Sequence, residues 1–167
     1  MTFRKIDFGS DDFRGECELR DKVLRVPLGL SLDNENLDAE RREMHFGLFD
    51  DRGELLACVI AVVLSPGRVK IRQMAVAAEH QGKGCGRRLI HCLESYLAKC
   101  GLVHLSMHAR VTAFGFYEKL GYRRMGDAFT EVGIPHLAME KRLAGLSEVH
   151  ENDDRRIADG SKMAGKG

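Results

Sequence analysis

No sign of charge dominates this chain: 26 Lys and Arg stand against 25 Asp and Glu, for a formal net charge of +1. A field that weak attracts neither nucleic acid nor an anionic membrane, so any basic recognition has to be local. No apolar run reaches membrane-spanning length. The opening residues, MTFRKIDFGSDD, lack the apolar core of a secretory signal. Neither a nucleic-acid nor a membrane partner is therefore expected, and a cytoplasmic location is. Paired cysteines are missing too. Cys17, Cys58, Cys85, Cys92 and Cys100 are odd in number and contain no Cys-x-x-Cys, which argues against a disulfide frame or a bound metal.

What is present suits one domain. The chain has 167 residues, 44% of them hydrophobic and 31% charged, enough to bury a substantial core. Thr2 to Phe8 alternate as a first strand ended by Gly9. Ser10, followed by Asp11 and Asp12, opens a helix whose apolar stripe is Leu19, Val23 and Val26, stopped by Pro27 and Gly29. Met44 to Phe49 and Glu54 to Leu64 flank an Asp-Asp-Arg-Gly turn and read as a hairpin. LLACVIAVVL is apolar on both faces, as a central strand must be. Arg68 to Val76 is a further strand in which the alternation breaks midway, a sign of a bulge.

Leu89, Leu93 and Leu97 mark the clearest helix, Gly84 to Cys100. Leu102 to His108 alternates cleanly, Thr112 to Leu120 is a short helix, and two last strands flank Gly133. The order β-α-(α)-β-β-β-α-β-α-β-β predicts a mixed α/β (α+β) fold. Residues 1–143 form the expected domain. The charged, Gly- and Ser-rich segment 144–167 is expected to be a disordered tail.

The segment Gln81 to Arg88, QGKGCGRR, carries the chemistry. Alternating glycines bring bare backbone N–H groups to a helix start, where the dipole and the unpaired amides favour a phosphate or pyrophosphate. A P-loop would need a closing Lys-Ser or Lys-Thr where Arg87-Arg88 stand. A dinucleotide fingerprint would need a glycine three positions after Gly84 or Gly86, and neither position holds one. Cys85, inside the loop, reads as a small filler. Arg68, Lys70 and Arg72 alternate with apolar residues and have no aromatic stacking platform, so they read as one polar strand face.

These residues resemble the GNAT acetyltransferases. Gln81-Gly82-Lys83-Gly84-Cys85-Gly86 fits the family's Q/R-x-x-G-x-G/A loop, and FYEKLGY, Phe116 to Tyr122, resembles its helix-and-strand signature. F-x-E-x-G-I-P-H-x-x-M, Phe129 to Met139, is similar to the ElaA-like branch. The resemblance covers roughly Thr2 to Leu143 and implies a central mixed, mostly antiparallel sheet flanked by helices. It implies acetyl-CoA as acyl donor and an N-acetyltransferase acting on a small primary amine or an exposed protein or peptide amino group, by direct attack in a ternary complex. The amides from Gly82 to Arg87 would cradle the pyrophosphate, and Met74, Ala75 and Val76 would pair with the pantetheine arm. A backbone N–H near Val76 would face the oxyanion. Where many members carry Asn beside the pantetheine, this chain has Arg110.

For the proton transfers the resemblance points to Tyr117 as the acid that meets the departing thiolate; on pattern alone Tyr117 is a core residue beside Phe116 and Leu120. Glu131 and His136, around the last turn, are the candidates for binding or deprotonating the amine, with His108 ending a strand nearby. An acyl-CoA-binding regulatory module without turnover is the alternative, and a nucleotide-binding protein a third. Acidic residues of the first third (Glu16, Glu18, Asp21, Asp33, Glu35) could draw a cationic amine or simply be solvated. The oligomeric expectation is monomer or homodimer.

Overall fold

The protein is described by a computed structural model over residues 1–145; the segment read as a tail lies outside the described residues from 146 onward. Seven strands form one sheet: β1 (Thr2–Ile6), β2 (Met44–Phe49), β3 (Leu55–Ser65), β4 (Arg68–Val76), β5 (His104–Arg110), β6 (Arg123–Glu131) and β7 (Ile134–Arg142). Their spatial order is β1-β2-β3-β4-β5-β7-β6, with β4 and β5 parallel and every other neighbour antiparallel. The α-helices of the described residues are α1 (Asp11–Arg20), α2 (Cys85–Lys99) and α3 (Phe114–Lys119). This is the mixed fold that the order of elements predicts, with the mostly antiparallel sheet that the resemblance implies.

The local reasons hold in most places. Asp50 closes the β2–β3 hairpin by accepting from the backbone N–H groups of Arg52 and Glu54, each at 2.8 Å. β3 is buried without a break from Leu56 to Ala61, because α2 covers one face of the sheet and α1 packs on the other. Leu89, Ile90, Leu93 and Leu97 of α2 meet Phe46, Leu48, Val59 and Val69 in the main core. Burying such side chains contributes roughly 1.5–3 kcal/mol each. No helix among the described residues is long and apolar enough to cross a membrane.

The first helix departs from expectation. Ser10 caps it, its Oγ accepting from the Phe13 N–H at 3.1 Å. The buried face, however, is Phe13, Glu16 and Arg20, while Val26 is 58% exposed. After Arg20 the chain winds into a π-helical turn (Asp21–Arg25) and then a tighter turn (Val26–Leu28). These changes of pitch break the phase on which a Leu19/Val23/Val26 stripe depends. Glu16 is consequently a buried group rather than part of an acidic surface.

A buried ionic group joins α1 to the sheet. Arg20 donates to both oxygens of Glu40 at 2.8 and 2.7 Å, with Glu16 Oε1 at 3.5 Å. His45 Nδ1 lies 2.9 and 3.0 Å from the two Glu16 oxygens, and its Nε2 lies 2.9 Å from the Glu40 carbonyl oxygen. Both ring nitrogens face oxygen acceptors, so both donate and the ring is an imidazolium. Burial alone would depress its pKa, but the hydrogen bond and charge of Glu16 outweigh it, and the net direction is upward from 6.5. Two cations and two anions thus neutralise one another inside the protein. Arg20 Nε has no partner among the described residues.

Two outcomes follow from this group. Arg20→Met strands the buried Glu40 carboxylate, while Glu16 keeps His45, and should lower the unfolding free energy by about 3–5 kcal/mol, read by urea denaturation. The raised His45 pKa supplies stability that is fully present below the unfolded-state value of about 6.5 and is lost as pH rises through the folded-state value. In His45→Gln that loss on the alkaline side should be absent from a pH series of unfolding curves.

Candidate active site

The site begins where two parallel strands part. β4 and β5 pair from Arg68↔His104 to Ile71↔Met107, and there the ladder ends, although β4 runs on to Val76 and β5 to Arg110. On its other side β4 shifts register between Ile60↔Arg72 and Cys58↔Ala75, so that Gln73 and Met74 together face Val59. Gln73 has φ 54°, a left-handed conformation rare for a non-glycine residue. This is the bulge anticipated from the broken alternation. It turns the strand and re-aims the side chains beyond it.

Two cavities open at the parting. The first, about 580 Å³, is walled by Val23, Leu24 and Arg25 of the π-helical turn, Lys70 to Met74 of β4, Met107 to Arg110 of β5, and Glu131, Val132 and His136 of the last hairpin. The second, about 540 Å³, is walled by Met74, Ala75 and Val76, by His80, Gln81, Gly82, Gly84, Gly86 and Arg87, and by Phe116. Val23, Met74, Ala113 and Tyr117 line both.

The glycine loop borders the second cavity. Gly82 (φ 72°) and Gly84 (φ 85°) are left-handed, and nothing lies within 4 Å of where a side chain would begin on either. No side chain caps α2, so its first amides are free to take an anion from the cavity. Gln81 Nε2 donates to the Val76 carbonyl at 3.0 Å and ties the loop to the end of β4. These features fit a pyrophosphate. Of the expected loop residues, exposed Lys83 lines neither cavity, and Cys85 is buried in the main core, as a filler would be. Arg110 lines the first cavity and not the second; its Nη2 donates to the Leu24 carbonyl at 3.3 Å.

Tyr117 stands at the junction, 8% exposed, with its hydroxyl donating to Met74 Sδ at 3.1 Å. Burial pushes its pKa well above the ordinary phenol value, so the hydroxyl keeps its proton at neutral pH. A thioether is a weak acceptor, which leaves that proton easy to redirect. The hairpin side of the first cavity brings three groups together. Glu131 Oε1 is 3.2 Å from His108 Nδ1, and Glu131 Oε2 is 3.8 Å from His136 Nε2. His136 Nδ1 donates to the Ile134 carbonyl at 2.9 Å, which turns Nε2 toward Glu131. Phe129 packs against both imidazoles.

Several wall residues were not legible in advance. Lys70 and Arg72, read as a polar strand face, are that face, but the face lines the first cavity. Arg25 reaches it from the π-helical turn, donating to Glu35 at 2.6 and 3.2 Å and to Gln73 Oε1 at 3.2 Å. Glu43 accepts from Arg72 at 3.0 and 3.3 Å. Only the unexpected change of helical pitch brings Arg25 there, and no sequence period announces it.

The geometry agrees with what the chain is similar to. The family model described as "Acetyltransferase (GNAT) domain" matches residues 31–143. The uncharacterized protein YyaT of Bacillus subtilis is 32% identical over 75 residues, 45% of this chain and 51% of the relative, so the chain spans about half the length of that curated relative. The crystal structure of a putative N-acetyltransferase from Lactobacillus plantarum superposes with a TM-score of 0.75 at 22% identity, covering 86% of this chain and all (100%) of that one. Escherichia coli ElaA superposes with a TM-score of 0.71 at 19% identity, covering 85% and 100% of the two chains.

The loop geometry makes one substitution diagnostic. Gly84→Ala meets no obstructing atom, so its whole effect is conformational, about 1–2 kcal/mol of left-handed strain. It should lower the affinity for coenzyme A, measured by calorimetry, while the melting temperature falls by only a few degrees.

Proposed function

The chain belongs to the GNAT acetyltransferase family, and from that premise we propose that it transfers the acetyl group of acetyl-CoA to a primary amine by direct attack in a ternary complex. The observation that carries this reading is the meeting of two cavities at Tyr117 and Met74. A donor whose pyrophosphate lies on the glycine loop and an amine in the neighbouring cavity would have their reactive ends at that junction. Residues 1–143 are the transferase domain on this reading, and a cytoplasmic location fits a chain built to use a cellular thioester.

When bound, acetyl-CoA supplies an activated acyl thioester. Met74, Ala75 and Val76 hold the pantetheine arm along the β4 edge that β5 leaves unpaired. Gln81, Gly82, Gly84, Gly86 and Arg87 hold the pyrophosphate. Lys83 and Cys85 contribute through their backbone. A backbone N–H of the bulged strand near Val76 donates to the carbonyl oxygen as charge develops there, worth about 3 kcal/mol for one preorganised donor.

An alkylamine with a pKa of about 10 must first lose a proton. Glu131 and His136 accept it, His136 through the Nε2 lone pair that its Nδ1–H bond to Ile134 leaves turned toward the cavity side. The amine nitrogen then bonds to the carbonyl carbon, the carbon–sulfur bond breaks, and the nitrogen releases its second proton to solvent to leave a neutral amide. Tyr117 donates its phenolic proton to the departing thiolate and regains one from solvent. Its burial suits it to this role, because a phenol that stays protonated remains a donor.

Tyr117→Phe removes only a weak bond to Met74 and should leave folding intact. Turnover should fall by about a hundredfold or more while calorimetry returns nearly wild-type acetyl-CoA affinity and no heat with ATP. Binding of acetyl-CoA without turnover of any amine by the unmodified protein would favour the regulatory-module alternative. Unchanged turnover in the variant would remove Tyr117 from the chemistry.

A further inference from the structure

The first cavity carries a marked charge pattern. Four cationic side chains line it, Arg25, Lys70, Arg72 and Arg110, against two carboxylates, Glu43 and Glu131. Most of these are already matched. Arg25 is held in a two-point bridge by Glu35, Arg72 by Glu43, and Glu131 sits between His108 and His136. Lys70 and Arg110 remain. Arg110 has a single backbone carbonyl as partner, and neither side chain meets a carboxylate among the described residues.

Their placement is fixed by the sheet. Lys70 lies beside Ser106 in the parallel register, two residues before Arg72 on the same face of β4. Ser106, His108 and Arg110 alternate along one face of β5, and Arg110 lies directly across from His136 in the β5–β7 pair. The cavity floor is therefore a basic strip that runs up to the His136/Glu131 pair. Half-buried cations without counter-charges are costly in free energy, and an anionic ligand group would neutralise them.

We infer that the acceptor is an amine bearing a second, anionic group, a carboxylate or a phosphate, which Lys70 and Arg110 bind while the amine is presented at Glu131, His136 and Tyr117. This rests on the acetyl-transfer reading for the cavity's role as acceptor site. A di- or polyamine, whose second charge is positive, would meet repulsion on the same floor. The guanidinium of Arg110 keeps four N–H donors beyond its bond to Leu24, enough for a two-point clamp on an oxyanion.

The test uses matched acceptors that differ only in the second group: β-alanine beside β-alaninamide, phosphoethanolamine beside ethanolamine, and ethylenediamine as the cationic member. Binding to the full chain in the presence of coenzyme A is read by calorimetry, and acetylation by CoA release. The carboxylate or the phosphate member should bind and react better than its neutral partner by about ten- to hundredfold, with ethylenediamine weakest. Which anion wins separates a carboxylated from a phosphorylated acceptor.

In Arg110→Gln and, independently, Lys70→Gln, the advantage should shrink toward unity through KM, with acetyl-CoA affinity and melting temperature unchanged. Equal binding of charged and neutral partners, or preference for ethylenediamine, overturns the inference. Loss of the anion preference in neither variant overturns it as well. Because selectivity is read from binding of the amine itself, it stands apart from the transfer reading, which fails on its own if coenzyme A does not bind.

Discussion

Both cavities of this protein depend on a backbone constraint, the parting of β4 from β5 after four residue pairs. A parallel ladder that ends inside a sheet leaves a row of N–H and C=O groups facing a gap, and such groups need partners. Water or an extended amide-bearing ligand can supply them; another strand cannot enter without closing the cavities. The bulge at Gln73–Met74 deepens the effect by twisting β4 away from its neighbour. The nine residues of this strand thus produce both cavities and the junction between them at Met74.

The second requirement is to hold α1, whose π-helical continuation walls that opening with Val23, Leu24 and Arg25, and hydrophobic packing alone does little of it. The apolar cluster under α1 is small, Ile6, Phe13 and Phe49. Orientation comes from the buried group of Glu16, Arg20, Glu40 and His45, whose members lie on α1, on the turn before β2 and on β2 itself. An ionic group of this kind adds little net stability over an apolar one, yet tolerates few alternative arrangements because each member must be satisfied. Arg72 extends the same chain of contacts to the cavity wall, 3.5 Å from Glu40 and 3.0 Å from Glu43. Position of the helix and shape of the first cavity's wall are coupled through it.

The parts legible in sequence were those with a period or a special backbone requirement. The Leu89/Leu93/Leu97 repeat, the doubly apolar β3, the hairpin turn and the glycine loop each announce their geometry through one local rule. Even the bulge showed as broken alternation. What stayed hidden was long-range. No local rule pairs Arg20 with Glu40, twenty positions apart, or His45 with Glu16, and a buried Glu on a helix reads as surface charge until its partners are known. The π-helical turn hid Arg25 in the same way, because a shift of helical phase carries no compositional mark. Lys70 and Arg72 were read correctly as one strand face, but whether that face meets water or a cavity is decided by the splay of β5.

A chain with almost no net charge can still hold a strongly biased site if its anions are committed elsewhere. Here they are committed close by: Glu35 to Arg25, Glu43 to Arg72, Glu131 to His108 and His136, Glu16 and Glu40 inside the buried group. The pairings of Glu35, Glu43 and Glu131 each hold a wall residue in place and at the same time commit a carboxylate that could have neutralised the floor. The bias toward positive charge at Lys70 and Arg110 is therefore a consequence of how the wall is braced. Composition averages this away, since counting charges over the whole chain treats a clamped Glu43 and a free carboxylate alike. Recognition depends on the uncompensated pair, and it falls on the two strands whose separation creates the cavity.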